Sequence, residues 1–347
     1  MGKPSQSKVS IIMPVLNEEK YIKKCLLSLI NGIIENIDLE ILIIDGMSTD
    51  STRSIINDLR KDYDYIRIVD NPERNKPAAL NLGIAEASGE IVIRVDAHSI
   101  YDADYINRTV YYLNTTDADN VGGIRRTLPG DDNLIARAIA HAVSNPFAAG
   151  NAVYRTLSND KSKPVVMEVD TVFGGGFPRD LFARIGDFDR DLLRGQDREF
   201  NHRIRAHGGK ILLCTDIVCD YFARSDINSY VSWMYDGGVT PFYISRIVGR
   251  KIYSWRNLIP LAFIISLLVS IILSFFIPYF WIIALVIMFS YILGSIIFTV
   301  PVVKKEKNPI FFLIMPAIFL LTHIPYGFGS ISGMLRRVKK GAQWVRT

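Results

Sequence analysis

The sequence predicts an α/β protein: a Rossmann-like, mostly parallel sheet followed by C-terminal transmembrane helices. Three observations carry this expectation. Apolar runs alternate with helix-patterned segments between Val9 and Asp96, as βαβ units do. The runs are continuous, which fits strands covered on both faces. Charge then all but disappears from Asn257 to Val303, whereas the chain ahead of it has ordinary soluble composition. With 347 residues and 49% hydrophobic content, there is room for a sizeable core beside the membrane part.

The first strand runs from Val9 to Met13 and is closed by Pro14. A helix follows, with Ile22, Leu26 and Ile30 on one stripe and Tyr21, Cys25 and Leu29 beside it, because residues four apart share a helix face. "LEILIIDG" is a second strand ending in Asp45, and Asp50 or Ser51 caps a helix reaching Leu59. "YIRIVD" is a third strand, Pro77 opens a helix running to about Ala87, and "EIVIRVD" is a fourth strand. Beyond Asp96 the pattern loosens. Helices are expected at Asp104–Leu113, Asn133–Ser144 and Asp197–His207, a short strand at "EVDTVF" ahead of Gly174-Gly175-Gly176, and one or two strands in "KILLCTDIVCDYF".

Two apolar segments, 258–277 and 279–300 with Pro278 at the turn, each come near the ~20 residues that cross a bilayer. They read as a hairpin returning at Lys304–Lys307. A third, 310–331, contains Pro316, His323, Pro325, Gly327 and Gly329. If it spans, the basic tail lies outside, against the positive-inside tendency. If it is re-entrant or interfacial, the tail stays inside, and the sequence leaves both open. The expected division is therefore residues 1–250 as a catalytic domain, with an interfacial segment about 226–250, and 251–347 as the membrane region.

The net charge is +5. Basic residues flank the apolar segments: Arg246, Arg250, Lys251 and Arg256 before them, Lys304, Lys305 and Lys307 between them, and Arg336, Arg337, Lys339 and Lys340 after them. This pattern points to anionic membrane lipids as partners. It does not point to nucleic acid, because no basic stripe is interleaved with aromatics in the soluble part. Cys25, Cys214 and Cys219 are odd in number and form no CxxC, which fits core packing in a reducing compartment. "MGKPSQSKVS" has no apolar h-region. The expectation is a multi-pass protein of the plasma membrane with its soluble part in the cytosol.

In open α/β sheets, ligands bind outside the carboxyl ends of the strands. Pro14 to Asn17, Asp45 and Asp96 all fall at such ends and describe one site. Asp96 and His98 place a carboxylate and an imidazole within reach of one divalent cation, Mg²⁺ or Mn²⁺, with positions left open for a substrate diphosphate. The alternative is that Asp96 caps the next segment and His98 is a satisfied loop histidine. Asp45 either receives a nucleobase edge or ribose hydroxyl, or serves turn chemistry with Gly46, Ser48 and Asp50. Asn17 and Glu18 are ligand contacts or helix-start residues, and Lys76 neutralises a phosphate or is simply solvated. Gly174–Gly176 form a turn or let backbone approach a bulky sugar. Asp197 is a helix cap or a general base toward an acceptor hydroxyl, oriented by Arg198 and Glu199.

Five motifs occur in order: "VSIIMPVLNEEKYI", "LIIDGMSTDST", "NPERNKPAALNLGI", "GEIVIRVDAHSIY" and "RGQDREFNHRIRAHGGKI". Together they resemble the family 2 glycosyltransferases with the GT-A fold, and more narrowly the membrane-bound branch typified by succinoglycan-type exopolysaccharide glucosyltransferases. The resemblance covers about residues 8 to 250. It implies that Pro14, Asn17 and Glu18 form the first nucleotide-binding turn, that Asp45 meets the base, and that Lys76, Asn81 and Gly83 line the donor. It implies that Asp96 and His98 stand for the metal-binding Asp-x-Asp. Asp197 matches the aspartate of the family's Glu-Asp motif, its general base, with Gln196 in place of the glutamate.

His98 departs from the pattern and leaves Mn²⁺ or Mg²⁺ open. The Gln-x-x-Arg-Trp motif of processive synthases is not found; Arg224 in "YFARSDINSY" is the nearest candidate. Gly175, Gln196 and Arg224 are the candidate acceptor or diphosphate contacts. The expected function is an inverting hexosyltransferase of exopolysaccharide or glycan biosynthesis. It would move a sugar from a nucleotide-sugar donor, UDP-glucose being the first candidate, to a lipid-linked saccharide acceptor. The rivals are a polyprenyl-phosphate sugar synthase and a degenerate, non-enzymatic membrane scaffold.

Overall fold

Continuous apolar runs become strands buried on both faces. In chain order β1 (Ser7–Val15), α1 (Ile22–Ile30), β2 (Ile37–Asp45), α2 (Thr52–Leu59), β3 (Ile66–Asp70), α3 (Lys76–Glu86) and β4 (Ile91–Arg94) form the expected βαβ series. The computed structural model describes residues 7–32, 36–150, 152–157, 164–192 and 194–337; Lys339 and Lys340 of the expected basic tail lie outside them. Val9, Ile11 and Met13 join Cys25, Leu26 and Leu29 of α1 in the core. On the other face Gly83 of α3 lets the helix close on β1, since a Cβ there would lie 2.4 Å from Ile12 Cγ2. Asn75 fixes the start of α3, its Oδ1 accepting from Ala78 N at 2.8 Å, with Pro77 just inside the helix.

The chain continues through β5 (Ser99–Tyr101), α4 (Tyr105–Thr115), β6 (Asn120–Leu128), α5 (Leu134–Ser144), α6 (Pro146–Ala149) and α7 (Val153–Thr156). Then come β7 (Val166–Glu168), β8 (Phe173–Pro178), α8 (Asp180–Ile185), α9 (Gln196–Ala206) and β9 (Ile211–Phe222). The strand order is β3-β2-β1-β4-β8-β6-β9-β5, with β7 on β9. Strands β1 to β4 pair in parallel, whereas β8 joins β4 antiparallel and β5, β6 and β7 also make antiparallel pairs. The sheet is therefore mixed where a mostly parallel one was expected. The three glycines, for which a turn or a sugar-approach role was left open, lie inside β8. A Cβ on Gly176 would lie 2.3 Å from Thr109 Cγ2, and one on Gly175 would lie 2.2 Å from Asn120 Oδ1. All three cysteines are free and buried.

The last four helices are α10 (Ile227–Val248), α11 (Trp255–Ser274), α12 (Phe280–Glu306) and α13 (Phe311–Leu335). The chain divides into two compact units. One holds the residues up to Arg126 together with Leu157–Tyr221; the other holds Thr127–Thr156 with Phe222 onward. The expected boundary at residue 250 falls inside the second unit, which also takes α5 to α7. A second core joins Ala138, Ile139 and Val143 of α5 to Tyr230, Val302, Phe311, Met315 and Phe319.

Helices α11, α12 and α13 are each long and apolar enough to cross a membrane. α11 and α12 form the expected hairpin, with strongly exposed Phe275, Phe276 and Tyr279 at its tip. Glu306, alone among the lysines at the end of α12, is held by Arg137 and His141 of α5. α13 contacts α5 and both helices of that hairpin. Phe311 packs on His141, while Tyr326 Oη accepts from Asn257 Nδ2 at 2.6 Å near the start of α11. Between them His323 Nδ1 meets Tyr291 Oη at 2.8 Å.

α10 runs parallel to α13 along its length. Tyr230 bonds Thr322 at 2.6 Å, and Arg246 Nη1 donates to Met334 O at 2.6 Å. Glycines allow this approach. A Cβ on Gly329 would lie 2.1 Å from Tyr235 O, and one on Gly333 would lie 2.4 Å from Val239 O, the small-residue packing of membrane helices. Gly329→Val is expected to force the helices apart and cost about 1–3 kcal/mol, seen as a lower melting temperature in detergent. Gly237→Ala, whose added Cβ would meet the Tyr326 ring at 3.5 Å, should leave that temperature nearly unchanged.

Candidate functional site

The parallel strands bring the expected residues together at their carboxyl ends. Val15 pairs with Asp45 in the β1–β2 register, and Asp96 lies just beyond β4. The two loops there are laced to each other. Asn17 adopts φ 55°, a left-handed conformation that asparagine tolerates. Its N–H donates to Ser48 Oγ at 2.9 Å, and its Oδ1 accepts from Thr49 N at 2.9 Å. Glu18 N donates to Thr52 Oγ1 at 2.8 Å, and Glu19 accepts from Ser51 N at 3.0 Å.

Asp45 is fully buried. Its Oδ1 accepts from Ser48 Oγ at 2.6 Å and its Oδ2 from Arg53 Nη1 at 2.7 Å, and Arg53 bridges onward to Asp70. The carboxylate is thus engaged in holding the loop through Ser48 and Arg53. Asn81 and Gly83 serve packing in the same way. Asn81 exchanges hydrogen bonds of 2.8 and 3.0 Å with the backbone of Phe188, and Gly83 seats α3 on β1.

Asp96 is the electrostatic centre. Its backbone is fixed by Tyr101, whose Oη accepts from Asp96 N at 2.7 Å. Its Oδ1 accepts from Lys76 Nζ at 2.7 Å and from Arg94 Nη2 at 3.1 Å. Burial works to raise this carboxyl's pKa, but Lys76, Arg94 and His98 override it and hold the group well below the usual carboxylate range. His98 presents Nδ1 to Glu18 Oε1 at 3.1 Å and packs edge-on against Tyr221.

Asp197 joins this centre from a distant part of the chain. α9 is seated by stacked rings, with Phe188 and Phe200 4.4 Å apart and Phe182 and Phe200 5.5 Å apart. Gly195, in a left-handed conformation, turns the chain into the helix, and Asp197 lies in the first turn, where the helix dipole favours an anion. Arg94, 3% exposed, donates Nη1 to Asp197 and Nη2 to Asp96. Burial lowers the guanidinium pKa, but Asp197 and then Asp96 more than offset this and leave it raised. The residue in contact with Asp197 is Arg94 rather than the expected Glu199. Glu199 is taken by Arg203, at 3.0 and 2.8 Å.

Gln196 is buried at the start of α9. Gly175 is buried inside β8 with Asn120 in the space beside it, so packing accounts for its glycine. Arg224 is exposed in the link before α10, in the second unit. The role of Arg94 escaped the sequence reading. Its signal was a lone cation in an apolar strand two residues ahead of a carboxylate.

Among the described residues no group of three or more His, Cys, Asp or Glu side chains is poised to hold a metal. Asp96 and His98 make a two-residue set. Both cations engage Oδ1 of Asp96, leaving Oδ2 for an ion. Glu18 on Nδ1 of His98 is the kind of carboxylate partner that stands behind metal-binding histidines. A carboxylate oxygen and an imidazole nitrogen are donors of the kind that Mn²⁺ or Mg²⁺ would accept.

Residues 10–186 match the sequence model of Glycosyl transferase family 2. The chain is similar to the dolichyl N-acetyl-alpha-D-glucosaminyl phosphate 3-beta-D-2,3-diacetamido-2,3-dideoxy-beta-D-glucuronosyltransferase of Methanococcus voltae, 28% identical over 94% of this chain and 97% of that one. It is also similar to the succinoglycan biosynthesis protein ExoA of Rhizobium meliloti, 26% identical over 73% and 74% of the two chains. Its fold is that of the mannosyltransferase PcManGT from Pyrobaculum calidifontis, solved with GDP-Man and Mn²⁺, with TM-score 0.56 and 17% identity over 96% and 88% of the two chains. The match spans more than half of this chain, and the GT-A-like mixed sheet carries it ahead of three long apolar helices: the chain belongs to glycosyl transferase family 2.

Proposed function

We propose that this enzyme is an inverting, membrane-anchored glycosyltransferase that moves a sugar from a nucleotide-sugar donor to a lipid-linked saccharide. The observation that carries the reading is the cluster at the strand ends, where Asp96 and Asp197 meet on Arg94 beside the Asn17–Ser48 loops. Those loops and Lys76 receive the nucleoside diphosphate. Asp96 and His98 hold Mn²⁺ or Mg²⁺, which when bound offsets charge on the leaving diphosphate. Asp197, about one-third exposed, takes the proton of the acceptor hydroxyl as that oxygen bonds to the anomeric carbon. The bond from that carbon to the diphosphate breaks on the opposite face, so an α-linked donor yields a β-linkage. The lipid-linked acceptor is supported by the apolar helices, which tether the catalytic unit to the bilayer. It is also supported by the Methanococcus relative, whose name specifies a dolichyl-linked sugar phosphate.

The direct check is release of UDP or GDP from a panel of nucleotide sugars by purified protein with Mn²⁺ or Mg²⁺ and a membrane lipid extract. Release is expected to need the extract, to be lost in Asp96→Ala, and to fall about 10²- to 10⁴-fold in Asp197→Ala. Turnover surviving in Asp197→Ala would remove that residue as the base. A lipid-monophosphate sugar as product, read by mass spectrometry, would favour the polyprenyl-phosphate synthase. An α-linked product from an α-linked donor, read by NMR, would exclude single displacement.

In the membrane, α11 and α12 cross as a hairpin, and α13, which carries Pro316 and Pro325 and packs along α10, is read as a re-entrant or interfacial helix. α12 has 27 residues, about 40 Å of helix against a hydrocarbon core of about 30 Å, so the turns carrying Glu306 extend beyond the lipid. Arg246, Lys304, Lys305 and Arg336 then share one side, which the positive-inside tendency makes cytoplasmic. The catalytic unit is read as cytosolic, and the plasma membrane is the expected site. Single cysteines at Arg337 and Ser51 should react with a membrane-impermeant maleimide from the same face of sealed vesicles. A label reaching Arg337→Cys only from the opposite face would make α13 a third crossing.

A further inference from the structure

Arg94 is held by two carboxylates and by little else. It ends β4 with its side chain 3% exposed. Nη1 donates to Oδ1 of Asp197 and Nη2 donates to Oδ1 of Asp96. Nε is buried with no hydrogen-bond partner among the described residues. Arginine ordinarily grips one carboxylate with two parallel bonds. Here the fork is divided, one bond to each partner, and among the described residues no third bond pins the group. The guanidinium stays charged, so it must follow whichever carboxylate attracts it more strongly. Asp96 already shares its Oδ1 with Lys76.

Resting on the proposed roles of Asp96 and Asp197, we infer that Arg94 is a positioning residue that couples cation and donor binding at Asp96 to the orientation of Asp197. A divalent ion with a nucleoside diphosphate brings Asp96 the positive charge that Arg94 supplies without it. The pull of Asp96 on the guanidinium falls, and Arg94 passes to Asp197. The base is thereby fixed when a donor is present. Coupling between two binding events is reciprocal, so the Asp197 carboxylate, by drawing Arg94 away, strengthens cation binding at Asp96. Lysine cannot take over this role, because a point charge lacks the fork that reaches two carboxylates together.

The test measures Mn²⁺ uptake by electron paramagnetic resonance of the free ion, with UDP and separately with GDP, on full-length protein in detergent. Asp197→Asn is expected to weaken uptake about fivefold or more. In an Arg94→Met background the same change should alter it by no more than about twofold. Glu199→Gln, in the same helix but paired with Arg203, should leave uptake unchanged. If Arg94→Met fails to fold, Arg94→Lys replaces it and should abolish the coupling equally. A fivefold loss that persists without Arg94 would show a simple field effect and overturn the proposal. So would wild-type uptake indifferent to Asp197→Asn. No uptake by wild-type protein with either nucleotide would instead overturn the metal role of Asp96 and His98 itself.

Discussion

A buried guanidinium at the end of a central strand organises this catalytic unit. Arg94 occupies a position that the sheet would otherwise fill with an aliphatic side chain, and its charge must be answered inside the protein. Asp96 answers from the next residues of the same chain segment and Asp197 from the first turn of α9. Much of the local architecture serves that meeting. Tyr101 fixes the backbone of Asp96, the Phe182–Phe188–Phe200 stack seats α9, and the Asn81–Phe188 exchange ties α3 to the approach to that helix.

The parallel half of the sheet supplies a second kind of order. Its strand ends leave polar loops that pair with each other, Asn17 with Ser48 and Thr49, and Glu18 and Glu19 with residues 50–52. Asp45 is spent on holding this structure through Ser48 and Arg53. The site thus combines a preorganised loop pair with an electrostatic centre whose charges balance closely: Lys76 and Arg94 against Asp96 and Asp197. Preorganised charge of this kind is the largest resource most enzymes have for stabilising a transition state.

The second unit follows other physics. In lipid, apolar contact gives helices little reason to associate, so close backbone approach and polar contacts take over. Gly238, Gly329 and Gly333 provide the first between α10 and α13. Tyr230–Thr322, Tyr291–His323 and Asn257–Tyr326 provide the second. Glu306 with Arg137 and His141 joins α5 to the end of α12, although α5 looks from its sequence like part of the soluble domain.

The sequence by itself determined what depends on near neighbours along the chain. Strands β1 to β4, their helices, the apolar hairpin and the strand-end position of Asp96 were all legible, because periodicity and strand-end position are local properties. So were Asp197 at a helix start and the family itself, through ordered motifs. The tertiary structure decided what depends on residues far apart. Gly174–Gly176 read as a turn or a sugar-facing stretch until Thr109 and Asn120 were seen beside Gly176 and Gly175. Glu199 read as a partner for Asp197 until Arg203 claimed it. Arg94 read as an interruption in a strand, because nothing within its own segment shows that a carboxylate 103 residues away shares its charge.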